Sequence, residues 1–309
     1  MSQYNGQNKG LVFAAYTALL WGFLAIGLKV SVGWLDPVSI LWLRFFVAFL
    51  MLLIWMWIKG KISFRIFKRP PFLLIPTALF LGLNYYGFIE GISRVSPSNA
   101  QVFIQLAPVG FALVGIFIYH EKVNWKTIAG FIVLVCGFFL FYVHQLTGFK
   151  GLEWDYKKGI LYVIGGAVSW TVFASFQKKL VSKWDTDQLN LFIYAFCSLI
   201  FFPLIDLEGM NHLNFGKWLL LISLGLNTVL SYGFLALAIK YAEANRVSVV
   251  ITLNPVITFI TMLILEIINV SWIEPENFDF YSIIGAVIAL CGVIITILSR
   301  NQGRRRVDG

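Results

Sequence analysis

Apolar residues along this chain do not form the narrow stripes of a soluble amphipathic helix; they form long runs separated by short polar connections. Ten runs can be marked, at 10–30, 38–58, 70–90, 98–118, 126–144, 159–178, 189–205, 217–238, 247–268 and 280–299. A helix needs about 20 mainly apolar residues to cross a hydrocarbon core of roughly 30 Å, and backbone groups cannot be left unpaired in lipid. The pattern therefore predicts an all-α integral membrane protein with ten transmembrane helices. A barrel would show alternating strands of about ten residues, which the sequence lacks. Pro71, Pro76, Pro108, Pro203 and Pro255 lie in or at the ends of runs, where neighbouring helices can satisfy the carbonyls they release.

Composition removes most other classes. Hydrophobic residues make up 59% of the chain and charged ones 13%, with a mean hydropathy of +0.80. Ten spans of about 20 residues leave no room for a soluble catalytic domain between them. Of the 24 Lys and Arg, Arg44 lies within a span, 6 flank the side away from the termini and 17 flank the side that carries both. The positive-inside rule then predicts both termini in the cytoplasm, with 301–309 as a basic cytoplasmic tail. A net charge of +9 and Arg304, Arg305 and Arg306 raise nucleic acid as a partner, but their place beside a last span points to the bilayer surface instead. Ala25-Ile26-Gly27 gives the first run the look of a signal peptide, which the internal match described below contradicts. Cys136, Cys197 and Cys291 all lie in apolar runs and read as buried small hydrophobes. His120, His144 and His212 belong to no ligand motif, and no phosphate-binding loop is present, so neither metal, cofactor nor enzyme activity is expected.

The runs repeat. Lys9-Gly10-Leu11 and Trp21 recur 149 residues later as Lys158-Gly159-Ile160 and Trp170. Gly82-Leu83-Asn84 with Tyr86-Gly87-Phe88 is echoed by Gly225-Leu226-Asn227 with Tyr232-Gly233-Phe234. Asn99 and Asn245 stand nine and ten residues before Pro108 and Pro255, and Gly130 with Cys136-Gly137 matches Gly285 with Cys291-Gly292. Echoes in one order along the chain indicate duplication, with a first repeat at 10–145 and a second at 157–300. Five spans per half is an odd number, so the second half is expected upside down relative to the first, as in secondary transporters.

A Pro-initiated span closing on a Glu, followed by a short loop and a Gly-rich helix, resembles the ten-helix, EamA-like exporters of the drug/metabolite transporter superfamily. Here it reads LAPVGFALVGIFIYHEKVNWKTIAGFIVLVCGFFL, with Pro108, Glu121, Gly130 and Gly137. Trp21-Gly22 and Arg44-Phe45 are also similar to that family, and the resemblance covers about 10–299. His120 departs from the family's usual Gly, and Glu266 comes only eleven residues after Pro255, against thirteen from Pro108 to Glu121. The resemblance implies export of small metabolites, often amino acids or drugs, by alternating access around a central cavity in a bacterial inner membrane.

Candidate chemistry is confined to a few polar residues. Gln101, Gln105 and Pro108 share a helix face, and Ser248, Thr252 and Pro255 match them in the second half. Amides are costly in lipid, so these residues face either an aqueous cavity or a neighbouring helix. Trp21 and Trp170, with Gln177 two turns on, and Asn84, Tyr86, Asn227 and Tyr232 admit the same two readings. If they line a cavity, the small-molecule substrate has an apolar or aromatic body with a few hydrogen-bonding groups, as aromatic amino acids and lipophilic drugs do. Pro108 and Pro255 are candidate hinges. An Arg44–Glu90 ion pair is expected to be structural, Glu121 and Glu266 to be exposed interfacial carboxylates, and Ser96-Pro97 and Asn245 to cap the fourth and ninth spans. The reading is a secondary exporter of small metabolites, with aromatic or other neutral amino acids as first candidates; uptake or exchange, a channel and a non-transporting scaffold are the alternatives. No oligomeric state follows from the pattern.

Overall fold

Capping chemistry and proline set most helix ends. The chain opens with α1 (Ser2–Ser31); α2 (Pro37–Ile58) starts with Asp36 accepting from the Ser39 N–H at 2.9 Å and Pro37 in the first turn. It stops at Gly60, whose φ of +62° suits a residue without Cβ. A short α3 (Arg65–Lys68) leads to α4 (Leu74–Arg94), which begins four residues later than the hydropathy run because Pro70 and Pro71 are followed by a turn. Then come α5 (Pro97–Phe103), α6 (Leu106–Phe117), α7 (Trp125–Thr147), α8 (Trp154–Val181) and α9 (Thr186–Phe201). The rest is α10 (Leu207–Asn211), α11 (Phe215–Tyr241), α12 (Ala244–Ile251), α13 (Asn254–Ile267) and α14 (Phe280–Leu298). Asp185, Asp206 and Asn214 cap α9, α10 and α11 with their side chains. This computed structural model describes residues 2–63, 65–121, 124–147, 154–273 and 280–298; the basic tail 301–309 lies outside the described residues.

The molecule is an all-α, membrane-spanning bundle. Among the described residues seven helical segments are long and apolar enough to cross a bilayer: Gln7–Ser31, Pro37–Ile58, Pro97–Phe117, Trp154–Val181, Thr186–Leu204, Phe215–Tyr241 and Ala244–Ile267. Size, more than polarity, separates the inner and outer faces of a helix in such a bundle. On α1 the buried face carries Ala14, Ala18 and Ala25, while Tyr16, Leu19 and Phe23 point outward. Lipid is as apolar as leucine, so large side chains are welcome outside and small ones let helices approach inside.

Helix α4 packs along α8, α7 along α14, and α1 along α11 and α13; α2 packs on α9 and α11. Glycine permits close approach in the first two of these pairs. A Cβ on Gly87 would meet the Tyr162 carbonyl oxygen at 2.5 Å, and one on Gly292 the Leu134 nitrogen at 2.5 Å; in both cases the obstacle is backbone.

The fourth and ninth apolar runs are each broken in two. Helix α5 gives way to α6 at Ile104–Gln105, and α12 to α13 at Thr252–Leu253. Pro108 has no N–H for the Ile104 carbonyl four residues back, and Pro255 none for that of Ile251. The Ile104 carbonyl accepts from Ala107 at 2.9 Å instead, and Leu253 donates to Val250 at 3.2 Å. Both are three-residue turns that tighten and offset the helix. The break therefore precedes each proline rather than falling on it.

Candidate functional site

The two broken helices meet at the centre of the bundle. Gln105 lies at the first break, and its Nε2 donates to Asn254 Oδ1 at the start of α13, 2.6 Å away. A cavity of about 60 Å³ lies beside them, room for a few waters. Helices α5 and α6 and the break between them contribute Gln101, Ile104, Gln105 and Pro108 to its wall, while Ile251 and Asn254 come from α12 and α13. Trp21 of α1, Asn84, Tyr85 and Phe88 of α4, Trp170 of α8 and Tyr232 of α11 form most of the remainder.

The rings hold one another. Trp21 meets Trp170 edge to face with centroids 5.8 Å apart and lies 5.5 Å from Tyr232; Trp170 in turn meets Phe111 at 5.8 Å. Such pairs favour one fixed arrangement, so the aromatic wall is preorganised. Its polar atoms are less well matched. Gln101 Nε2 donates to the Trp21 carbonyl at 3.2 Å and Gln105 Nε2 to that of Gln101 at 3.1 Å. Yet Gln101 Oε1, Gln105 Oε1 and the Trp21 indole Nε1 are buried with no hydrogen-bond partner. Each costs about 1–3 kcal/mol if nothing occupies it, so these atoms are places for a bound group or water.

Of the residues singled out in the sequence, Trp21, Arg44, Asn84, Gln101, Gln105, Pro108, Trp170 and Tyr232 reach this cavity. The others stand elsewhere. Tyr86 is half-buried and meets Tyr162 edge to face at 6.0 Å, while its neighbour Tyr85 takes the cavity position. Consecutive helical residues point about 100° apart, so only one of the two can face inward. Asn227 donates to the Leu20 carbonyl at 2.8 Å and ties α11 to α1. Gln177 donates to Asn190 at 3.0 Å, and Asn190 to the Tyr232 carbonyl at 3.3 Å, which makes Gln177 an interhelical strut. Ser248 and Thr252 bond carbonyls of their own helix, those of Ala244 at 2.8 Å and Val249 at 2.6 Å. The break at Thr252–Leu253 turns Ile251 and Asn254 to the cavity in their place.

Arg44 is the residue that sequence reasoning misplaced. It does not pair with Glu90, and it does not snorkel to an interface. It is 2% exposed, lines the cavity, donates from Nε to Thr228 Oγ1 at 3.2 Å and sits 4.2 Å over the Tyr85 ring. Glu90 is taken by Arg94 on the next turn of α4, and Arg94 also reaches Asp155 of α8 at 3.3 Å. Its unusual depth within an apolar run was the signal available in the sequence.

The bundle is tied at both ends. At the end carrying Arg94, Lys29 of α1 donates to the Ile92 and Val95 carbonyls at 3.1 and 2.8 Å. At the other, Glu121 corrects the expectation of an exposed carboxylate. Its side chain is 8% exposed and accepts from the Ala244 and Asn245 N–H groups at 2.8 and 3.1 Å, with Lys178 at 3.0 Å. Asn245 is therefore inside the first turn of α12, and the cap comes from Glu121 in the loop after α6. Burial, and then Glu121, push the Tyr119 hydroxyl up to about 12, so it remains a donor to the Ser175 carbonyl at 2.6 Å. Ser96 does cap locally, accepting from Asn99 at 3.3 Å, and Glu266 is exposed at the end of α13. Among the described residues no group of three His, Cys, Asp or Glu side chains gathers to hold a metal.

An all-α membrane bundle around a central, partly polar cavity defines a protein that handles small solutes within a bilayer. The chain belongs to the EamA-like transporter family, whose model matches it at residues 8–143 and again at 157–298. It is accordingly a transporter of the drug/metabolite type and not an enzyme. An uncharacterized transporter of Haemophilus influenzae is 30% identical over 291 residues, 94% of either chain. The uncharacterized inner membrane transporter YhbE of Escherichia coli is 28% identical over 297 residues, 94% of this chain and 91% of that one. A solved crystal structure at 16% identity superposes with a TM-score of 0.75, covering 96% of this chain and 99% of its own, and shares the fold.

Proposed function

We propose that the protein is a ten-span secondary exporter of small organic metabolites, working by alternating access between two inverted five-helix halves, 10–145 and 157–300. Aromatic and other neutral amino acids are its first candidate cargo. The observation that carries this is the cavity at the meeting of the two broken helices, walled by aromatic rings and bearing unsatisfied indole and amide atoms. The pairing of helices supports the inverted halves. Exchanging the first half for the second takes α1 to α8 and α4 to α11, so the α1–α11 contact becomes the α8–α4 contact, while α7–α14 and α2–α9 map onto themselves. In this reading α4, α7 and α14 complete the ten spans, and the twofold match of the family model reflects the same duplication. The name of the Escherichia coli relative supports a bacterial inner membrane.

The test is counterflow in proteoliposomes with a labelled amino-acid panel. A carrier saturates and exchanges, a channel does neither and a scaffold shows no flux. The same assay on the Gln101→Leu/Gln105→Leu variant, with its melting temperature, separates a binding role from a packing one. Loss of about 1 kcal/mol of affinity per missing hydrogen bond in a still-folded protein is the expected result. Unchanged affinity with lowered stability would assign both residues to packing, Gln105 through its bond to Asn254.

A further inference from the structure

We infer that Arg44 is the anchor for a carboxylate on the transported solute. This rests on the transport reading above and names the class of cargo. Arg44 is among the most buried charged groups of the bundle, at 2% exposure, and it borders the cavity. A charge in the interior of a membrane protein requires a partner, because no solvent shell is available to it. Among the described residues no carboxylate lies within ion-pairing distance of Arg44. The acid nearest in expectation, Glu90, is already paired with Arg94. What Arg44 has is one neutral hydrogen bond through Nε to Thr228 and the face of Tyr85 at 4.2 Å.

Those contacts orient the guanidinium without neutralising it. Nε is committed to Thr228, and among the described residues nothing is bonded to the two terminal nitrogens. That pair of parallel donors matches a carboxylate in bidentate fashion, which a lysine ammonium could not reproduce. The Tyr85 ring against Phe45, with centroids 4.3 Å apart, keeps the stacking surface in place. Other unpaired atoms around the cavity complete the chemistry. The Trp21 indole N–H is a second free donor, while Gln101 Oε1 and Gln105 Oε1 are free acceptors suited to an ammonium or another N–H. A solute with an anionic carboxylate, a hydrogen-bond donor close to it and an apolar or aromatic body meets all of these at once, as an aromatic α-amino acid does.

The assignment is tested by binding of four probes to the purified full-length protein: L-phenylalanine, 3-phenylpropionate, L-phenylalaninamide and phenethylamine. The first two carry the carboxylate and the last two lack it. The carboxylate probes should bind at least tenfold more tightly than the other two, and Arg44→Gln should bring that ratio close to one. Arg44→Lys, which keeps the charge and loses the fork, should shrink the ratio and serves if the Gln variant does not fold. Equal binding of all four, failure of both carboxylates to bind, or an unchanged ratio in a folded variant would overturn the anchor. A merely structural Arg44 predicts lower melting temperature with the ratio preserved. Flux separates this from the transport reading. Carboxylate-selective binding without counterflow leaves the anchor standing and removes transport, whereas phenethylamine flux equal to that of phenylalanine removes the anchor and leaves transport.

Discussion

Glu121 shows how one side chain can complete a helix to which it does not belong. The first N–H groups of α12 have no intrahelical acceptors, and Glu243 at the cap position makes no side-chain bond to them. Glu121, arriving from the loop after α6, accepts from two of them and sits against Lys178. Negative charge at a helix N-terminus is favourable, and more so where water is scarce. Glu121→Gln should lower stability by about 1–3 kcal/mol, through loss of the charge at the helix end and a stranded Lys178. Melting temperatures of Glu121→Gln, Lys178→Met and the double variant in detergent give the coupling directly. A double variant that loses the sum of the two single losses would show that the ion pair, rather than the cap, is minor. Residue-level echoes in the sequence did not reveal this cap, because Glu121 and Ala244 are brought together only by folding. The same limit explains Tyr86. In the first half Asn84 and Tyr86 are two residues apart, while Asn227 and Tyr232 are five apart, so the matched tyrosines cannot occupy equivalent faces.

At the scale of elements, we propose the two broken helices as the hinges. Each lacks a backbone hydrogen bond at its proline, and each break lies against the cavity, so bending there changes the cavity's shape at little cost in hydrogen bonding. Replacing Pro108 and Pro255 together with Ala supplies both missing N–H groups. Insertion into the membrane should be unaffected while the transport rate changes, measured as initial counterflow rates in proteoliposomes. Wild-type kinetics in the double variant would leave the breaks as static kinks. The prolines were legible in the sequence; the offset they impose was not. That offset is why Ile251 and Asn254, instead of Ser248 and Thr252, face the cavity. Helical spacing carried across a break gives the wrong face by as much as the turn rotates it.

At the scale of the whole molecule, orientation follows from charge outside the spans. With 17 of the 24 Lys and Arg flanking the terminal side, Ser2 and Asp308 are expected in the cytoplasm. Cysteines introduced at those two positions, in a background without Cys136, Cys197 and Cys291, should react with a membrane-impermeant reagent only after the membrane is opened. Labelling of either in intact cells would overturn this topology.

Hydropathy and chain length by themselves determined the class of fold, because only long apolar helices satisfy every backbone group in lipid. Short-range echoes pointed to the duplication, and family-like motifs to transport. Tertiary structure decided which polar residues share the cavity. Interhelical hydrogen bonds took Gln177 and Asn227 into packing, and the helix breaks turned Asn254 inward. It also decided the fate of Arg44, since the pairing of Glu90 with Arg94 depends on local helix geometry and leaves the deeper cation to the cavity. Burial of a charge is a property of three-dimensional surroundings, and a run of apolar neighbours in sequence does not say which of them will surround it.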